Sequence, residues 1–362
     1  MSLKPIPTGP LRDGFTTGTS ATAAVKAALC SIIEQKAQTS VRVQLPIDKV
    51  LEIPIHFNVF TKNTAQCSVI KDAGDDPDVT NGAEIGCELE LTQSKEIVFE
   101  AGEGVGTVTL SGLELAVGEP AINPVPRKMM QSAVQKLLHD FDLECGVLIK
   151  IYVVDGKILA KRTLNERVGI MNGLSILGTS GIVKPYSSSS YIASIEQGID
   201  VAVANGITEV VINSGARSEK YLRSLFPELT EQSFIHFGNW IGETLVKIST
   251  SNIQKTTIGI MLGKAVKLAY GRTDTHSCVS SWNKEFVQEI AREAGANTAT
   301  IEAIIGLNMA GRLTELFPFE QGELFYQLLL RKCYDESKKI IKNTHLHLYL
   351  IGKDGSFIKY IK

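Results

Sequence analysis

The sequence predicts an α/β protein: a strand-rich α+β amino-terminal domain followed by a Rossmann-like α/β domain with a mainly parallel sheet. The main observation is a pattern that recurs three times in the second half of the chain, at residues 210–215, 234–239 and 258–264. Each copy is a short β-branched or aromatic run, a glycine turn and a helix-like stretch. Parallel strands need helical crossovers, and open sheets bind ligands beyond the carboxyl ends of their strands. The pattern therefore predicts a small-molecule enzyme.

Length and composition agree with this fold class and exclude several others. The chain has 362 residues, 44% of them hydrophobic and 21% charged, and a single core seldom grows beyond about 250 to 300 residues. We therefore predict two domains, residues 1–165 and 166–362. A net charge of -2 without a basic run argues against a nucleic-acid partner.

The sequence also predicts where the protein is located and what its cysteines do. No apolar stretch reaches the roughly 20 residues that span a bilayer, and no signal core is visible, so we expect a cytoplasmic protein with no membrane partner. The six cysteines form no Cys-x-x-Cys pair, which argues against a disulfide framework and a zinc ribbon.

The amino-terminal part is predicted element by element from periodicity and turn residues. An alanine-rich stretch at 21–37 predicts the first helix, and alternating segments between 41 and 110 predict strands. Pro124 begins a helix that runs to about residue 139. Residues 147–154 and 158–162 suggest a hairpin turned at Asp155-Gly156.

The second part begins with a glycine-rich connector, residues 169–185, which we interpret as the domain boundary or a binding loop. A helix is predicted to end near residue 205, and the three strand and helix units follow it. The stretch 281–343 is mainly helical by its apolar spacing. Residues 345–351 and 357–361 predict a closing hairpin.

A hydroxyl-rich turn opens the first helix. Thr16, Thr17, Gly18 and Thr19 could offer hydroxyls and free amides to a phosphate or carboxylate. Plain helix capping is the alternative, and spacing alone favours it. The turn lacks the Walker lysine, so a P-loop is excluded.

Acidic residues gather in a loop broken by glycine and proline, residues 72–82, which contains Asp72 and Asp75. Four carboxylates there could hold a cation or keep one acid protonated by mutual repulsion. A solvated turn is the alternative and the favoured one, and the spacing does not fit an EF-hand. Glu119, before Pro120, is another acid in a flexible setting.

Small residues at the three glycine turns would let backbone amides approach a ligand closely. Tight strand and helix packing is the alternative, and no Gly-x-Gly-x-x-Gly is present. The candidate ligand-binding residues there are Ser214, Gly215, Arg217, Gly238, Asn239, Gly263 and Lys264. After the third turn, Arg272 and His276 lie in a loop that could orient a substrate. His345 and His347 share a strand face but have no third ligand nearby, so no metal site is expected.

Several long motifs in order resemble the CbiD family, the cobalt-precorrin-5B C1-methyltransferases of anaerobic cobalamin (vitamin B12) biosynthesis. They lie at residues 11–19, 72–82, 118–127, 174–179 and 275–277. Two departures are Ser20, where we expect this family commonly to have cysteine, and Ala216, where glycine or arginine would be less surprising. The resemblance implies S-adenosyl-L-methionine as methyl donor and a cobalt-corrinoid intermediate as substrate. Cobalt would arrive inside the substrate, so no protein-held metal follows.

For the reaction that the resemblance implies, we expect the candidate residues to have the following roles. The donor would lie on the three glycine turns, and cations and helix ends would hold the carboxylates of the macrocycle. The expected substrate-binding residues are Arg12, Thr16, Thr17, Gly18, Thr19, Arg127, Thr179 and Arg272. The expected catalytic residues are Asp72, Asp75, Glu119 and His276. Two other functions stay open: a small-molecule kinase that uses the turn at 16–20 for phosphate, and a corrinoid carrier without catalysis. A homo-oligomer is compatible with each of the three functions.

Overall fold

The computed structural model describes residues 9–276 and 281–362. The chain divides into two compact units, one ending at Ser187 and the other beginning at Ser188. The glycine-rich connector at 169–185 therefore belongs to the first unit. Ser277, from the family motif, and Cys278 lie outside the described residues.

The first unit is strand-rich, as predicted. Its helices are α1 (Thr17–Glu34), α2 (Pro124–Asp140) and α3 (Gly156–Ala160). Its strands are β1 (Gly14–Phe15), β2 (Ser40–Gln44), β3 (Val50–Pro54), β4 (Phe57–Phe60), β5 (Thr64–Ile70), β6 (Glu84–Thr92), β7 (Ile97–Ala101), β8 (Thr107–Val108), β9 (Gly146–Val153), β10 (Ile170–Met171) and β11 (Ile182–Val183).

The core of this unit lies between one sheet and two helices. The sheet has the order β4-β5-β6-β9-β7, and α1 packs on β5, β6 and α2. The alanines of α1 are fully buried, and their small side chains let the helix come close to the sheet. Burial on nearly every face explains why α1 reads as continuously apolar.

The hairpin predicted over residues 147–162 is wrong. Residues 147–153 belong to β9, but Gly156–Ala160 forms the short helix α3. The reason is the position of β9, which pairs with β6 on one side and β7 on the other. Because both edges of β9 are taken, a following strand could not pair beside it.

The second unit contains the predicted Rossmann-like sheet. Its helices are α4 (Ser188–Ala204), α5 (Ala216–Leu225), α6 (Ile241–Ser249), α7 (Leu262–Ala269), α8 (Lys284–Glu293), α9 (Thr298–Gly306) and α10 (Leu324–Ile340). Its strands are β12 (Glu209–Asn213), β13 (Phe234–His236), β14 (Lys255–Met261), β15 (His345–Ile351) and β16 (Phe357–Ile361).

This sheet confirms both the three repeated units and the closing hairpin. Its order is β13-β12-β14-β15-β16; the first four strands are parallel, and β16 is antiparallel to β15. Leu222 of α5 packs with Val211 and Phe234 on one face. The larger cluster on the other face draws on α4, α6, α7, α8 and α10.

Candidate active site

The strand order marks the edge of the second sheet where a ligand crevice is expected. After β12 the chain moves to one side to form β13, and it then crosses to the other side of β12 to form β14. The topological switch point therefore lies between β12 and β14. In open parallel sheets, ligands bind beyond the carboxyl ends of the strands at this point. All three glycine turns lie at that edge.

The start of α5 lies at this edge, where its first backbone amides have no acceptor within the described residues. Gly215, before the helix, has φ 142°, and a Cβ built there would have no atom within 4 Å. The amide of Gly215 donates to Asn213 Oδ1 at 2.9 Å, and so does Ser218 Oγ at 3.1 Å. Within the described residues, the amides of residues 216–218 have no protein acceptor. Helix amides in this state bind carboxylate or phosphate.

Asn213 itself was not predicted as a site residue. Its side chain is fully buried, and its Nδ2 has no hydrogen-bond partner among the described residues. It occupies the last position of β12, directly beside His236 of β13 in the strand register. The only signal in the sequence is its place between a β-branched run and a glycine turn.

A close pair of titratable groups lies beside it, and sequence reasoning missed this pair as well. Glu219 of α5 lies with Oε2 2.5 Å from Nε2 of His236, and both side chains are at least 85% buried. The two atoms are within ion-pair distance, which is an ion pair when the imidazole is protonated, and they do not form an aligned hydrogen bond. Glu219 also accepts from Arg223 Nε at 2.7 Å. These residues are far apart in sequence, so only the parallel pairing of β12 and β13 brings them together.

The second and third glycine turns meet at Lys264. Its Nζ lies 2.8 Å from Gly238 O, 2.5 Å from Asn239 Oδ1 and 3.0 Å from Thr275 Oγ1. Burial, followed by repulsion from Lys267, lowers the pKa of Lys264 to about 8, while Asp274 opposes the shift. Gly263, next to it, has open space where a Cβ would project.

The segment 272–276 comes to the same edge. The amide of Thr275 donates to Asn239 O at 2.9 Å, and the amide of His276 donates to Asp274 Oδ1 at 2.9 Å. Arg272 is exposed, with its guanidinium 5.8 Å from the centre of the Tyr270 ring. The structure thus brings Gly238 and Asn239 together with Lys264 and Thr275, and His276 follows Thr275 directly in the chain. Arg217 instead reaches the loop after β15, where it donates to Lys353 O at 3.1 Å.

In the first unit, the acidic loop is held together by its own contacts. Arg12 forms two hydrogen bonds with Asp72, at 2.5 and 2.8 Å, and its amide donates to Asp75 at 2.6 Å. The hydrogen bond from Arg12 is the largest of the effects that lower the pKa of Asp72. Arg12, expected to bind substrate, therefore already has a carboxylate partner.

Two further carboxylates of this loop are also paired. Asp78 lies 2.7 Å from the ammonium of Lys71, which is 1% exposed. Burial acts to raise the pKa of Asp78, but attraction and hydrogen bonding from Lys71 and Thr80 outweigh it, so this pKa is lowered. Burial raises the pKa of Asp76, whose Oδ1 accepts from the Tyr186 amide at 2.8 Å. The loop is a hydrogen-bonded structure and not a freely solvated turn.

The hydroxyl-rich turn at the start of α1 is buried and internally paired. Thr16 caps the helix by accepting from the amide of Thr19 at 3.2 Å. Thr17 Oγ1 bonds with Leu177, the Gly18 amide donates to Leu177 O, and Thr19 Oγ1 donates to Gly181 O. The turn therefore serves as a helix cap. Because its hydroxyls are already paired within the protein, it does not support the phosphate site on which the kinase hypothesis depends.

Glu119 and Arg127, which were predicted separately as a catalytic and a substrate-binding residue, lie close to each other. Arg127 Nη1 lies 3.7 Å from Glu119 Oε1, and its guanidinium lies 5.6 Å from the centre of the Phe99 ring. Nε and Nη2 of Arg127 are buried and have no partner among the described residues. Thr179 is exposed on the connector.

No group of three or more metal-ligating side chains occurs among the described residues. No helix in the described part of the chain has the length and apolarity needed to cross a bilayer.

Comparison with known proteins then identifies the family. The CbiD family model matches residues 6–185, and the model described as CbiD, C-terminal domain, matches residues 274–360. A relative from Geobacillus kaustophilus (strain HTA426), named cobalt-precorrin-5B C(1)-methyltransferase, is 42% identical over 89% of this chain and 87% of its own length. This chain belongs to the CbiD family.

Other CbiD-family relatives support the assignment. Proteins of the same name are 41% identical over 91% of both chains in Priestia megaterium, and 43% identical over 90% of this chain and 89% of the relative in Prosthecochloris aestuarii (strain DSM 271 / SK 413). A crystal structure of a cobalamin biosynthesis protein (cbiD) from Archaeoglobus fulgidus is 31% identical, covers 80% of this chain and 86% of that chain, and has a TM-score of 0.40. The family-model matches and the curated relatives confirm the resemblance stated from the motifs.

Proposed function

We propose that this chain transfers a methyl group from S-adenosylmethionine to C1 of cobalt-precorrin-5B, giving cobalt-precorrin-6A in anaerobic cobalamin biosynthesis. The observation that carries the reaction is the identity of 41 to 43% over about nine-tenths of the chain to relatives named for it. The methyltransferase name of these relatives supports a methyl donor, and the geometry of the second sheet supports its placement.

The donor is placed in the crevice between β12 and β14. Its amino-acid carboxylate would accept hydrogen bonds from the amides of residues 216–218 at the positive end of α5. Gly215 and Gly263 leave open space on either side, which lets a ligand approach the backbone. The Nδ2 of Asn213 supplies a buried donor beside this turn.

The chemistry needs alignment more than it needs a protein nucleophile. The electron pair of the macrocycle carbon C1 forms the new bond to the methyl carbon. The carbon–sulfur bond breaks as its electron pair goes to sulfur, which becomes a neutral thioether. The protein's part is to hold the two reactants in line and exclude water. Asp72, Asp75, Glu119 and His276 stay predictions as groups that stabilise charge or move a proton.

Among the cations expected to hold substrate carboxylates, Arg127 has the strongest support. Its Nε and Nη2 are buried without a partner in the described residues, and a guanidinium binds carboxylates through two parallel hydrogen bonds. Arg12 is already paired with Asp72, so substrate would have to compete for it. Arg272 is exposed and free to turn toward a ligand.

Two measurements test the proposal. Calorimetric titration should show binding of S-adenosylhomocysteine, with much weaker binding of 5′-methylthioadenosine because it lacks the carboxylate. Anaerobic incubation with S-adenosylmethionine and cobalt-precorrin-5B should give a product heavier by one methyl group. Corrinoid binding without donor binding or turnover would select a carrier instead, and folded protein that yields no methylated product would reject the assignment.

A further inference from the structure

The ammonium of Lys264 is saturated by the protein itself. A lysine ammonium has three N–H donors and no acceptor. Lys264 Nζ has three oxygen acceptors within 3.0 Å, on Gly238, Asn239 and Thr275. With all three donors used, none is left for a ligand, so the expected direct contact with the methyl donor does not fit this geometry.

These three hydrogen bonds join different parts of the chain. Lys264 lies in the first turn of α7, Gly238 and Asn239 follow β13, and Thr275 belongs to the segment 272–276. The Thr275 amide and hydroxyl both donate to Asn239 O, at 2.9 and 3.1 Å. Lys267, one helical turn after Lys264, donates to Thr275 O at 3.0 Å. The turn after β13 and the segment 272–276 are therefore fastened to each other and to α7.

We propose that Lys264 is a positioning residue, whose ammonium holds the turn at residues 238–239 against the segment that carries Arg272 and His276. The turn belongs to the proposed donor site, and Arg272 and His276 are expected to face the corrinoid. Lys264 thereby couples the geometry of the two ligand-binding parts. The coupling role rests on the proposed function, whereas the anchoring role rests on the contacts alone.

The protonation state of Lys264 sets how many hydrogen bonds it can donate to the turn at 238–239 and the segment 272–276. Among the described residues, the charged groups that act on Lys264 are Lys267 on α7 and Asp274 on the segment 272–276, and the turn at 238–239 contributes neutral groups. Because the pKa of Lys264 is lowered to about 8, raising the pH through 8 converts the ammonium to an amine. An amine has two N–H donors, so one of the three hydrogen bonds is lost. We expect the affinity for S-adenosylhomocysteine to fall between pH 7 and pH 9.

The anchoring role is tested in the full chain with Lys264→Met, which keeps the length of the side chain and removes its donors. Lys255→Met is the matched control, since Lys255 lies at the opposite end of β14 and forms one ion pair with Glu209. Amide hydrogen exchange measured by NMR should be about tenfold faster at Thr275 in Lys264→Met and unchanged there in Lys255→Met. Unchanged exchange at Thr275 in Lys264→Met would overturn the proposal.

The coupling role is tested by calorimetric titration with S-adenosylhomocysteine across pH 7 to 9. Wild-type affinity should fall several-fold over this range, whereas Lys264→Met should bind about tenfold more weakly at pH 7 and show no such decline. Weaker binding by Lys264→Met without faster exchange at Thr275 would mean that Lys264 contacts the ligand, which contradicts the proposal. If the wild type binds no S-adenosylhomocysteine but the exchange result holds, the proposed donor is wrong and the anchoring role stands.

Discussion

At the scale of single residues, Lys71 and Asp78 form a deeply buried ion pair in the first unit. Their atoms lie 2.7 Å apart, with the lysine 1% exposed and the aspartate 25% exposed. Removing one partner of such a pair leaves a charge that is buried and unpaired, which is costly. Because the pKa of Asp78 is lowered in the fold, its stabilising contribution is present above its unfolded pKa and is lost as pH falls through the folded value.

Asp78→Ala should therefore lower the free energy of unfolding by about 3–5 kcal/mol. The matched control is Glu144→Ala, which removes the partner of the exposed Lys95 and should cost less than about 1 kcal/mol. Urea denaturation of both variants at neutral pH measures the difference. Equal losses would show that burial does not set the strength of these pairs.

Two glycines at the crevice differ in how informative a substitution would be. Valine at Gly215 would be strained whatever the ligand does, because φ is 142° there. Gly263 has no such backbone requirement, and a side chain there would project into open space. A change at Gly263 therefore separates ligand contact from strain.

Gly263→Leu should keep or raise thermal stability, because leucine favours the helix more than glycine by roughly 1 kcal/mol. It should also weaken binding of S-adenosylhomocysteine by at least about tenfold through loss of space. Gly306→Leu, at the end of α9 and equally unobstructed, is the control that should change only stability. Calorimetric titration of both variants measures their affinity for S-adenosylhomocysteine. Unchanged affinity in Gly263→Leu would remove this turn from the proposed donor site.

At the scale of elements, the same local pattern has two outcomes. Both α1 and α5 begin at small or hydroxyl residues where free amides are expected. At α1 the connector at residues 175–181 covers the helix start, and the hydroxyls of Thr16, Thr17 and Thr19 are paired. At α5 the amides of residues 216–218 have no acceptor in the described chain. A helix start becomes a binding site only where tertiary structure leaves it open.

The capping role of Thr16 gives a direct test. Thr16→Ala should lower the free energy of unfolding by about 0.5–2 kcal/mol because the amide of Thr19 loses its acceptor. Thr16→Ser keeps a hydroxyl and should recover most of that loss. Shifts in the urea midpoint measure both changes in stability. The effect of ATP with magnesium on that midpoint should be the same in both variants as in the wild type. A serine variant as unstable as the alanine variant would argue that packing of the threonine methyl, not capping, is what matters.

At the scale of the whole molecule, each unit has its own core. The cluster beneath the five-stranded sheet of the first unit runs from Ala21 to Ile176, and the clusters of the second unit begin at Ile195. None of these described clusters mixes residues from both units. Every residue of the proposed donor site lies after Ser188.

The second unit expressed alone, from Ser188 to Lys362, should therefore fold and bind S-adenosylhomocysteine within a few-fold of the affinity of the full chain. The first unit alone, ending at Ser187, should fold without binding it. Calorimetric titration and circular dichroism of the two pieces measure this. A folded second unit that fails to bind would place part of the donor site in the first unit.

The sequence predicted the structure correctly where the pattern depended on residues close together in the chain. The repeat of strand, glycine and helix at residues 210–215, 234–239 and 258–264 determined a parallel sheet, because that chain order needs helical crossovers. The motifs were long enough to identify the CbiD family. The hairpin at 147–162 failed because its local turn signal said nothing about β9 being paired on both sides.

The tertiary structure decided which polar groups are already paired within the protein. Lys264 is saturated by Gly238, Asn239 and Thr275, and Glu219 meets His236 across two strands. Such pairings depend on strand order and register, which are set by contacts between residues distant in the chain. Sequence by itself thus determined the fold class, the family and the edge where ligands should bind. Only the folded chain decided which side chains at that edge stay open to a ligand, because hydrogen bonding and burial are properties of the assembled core.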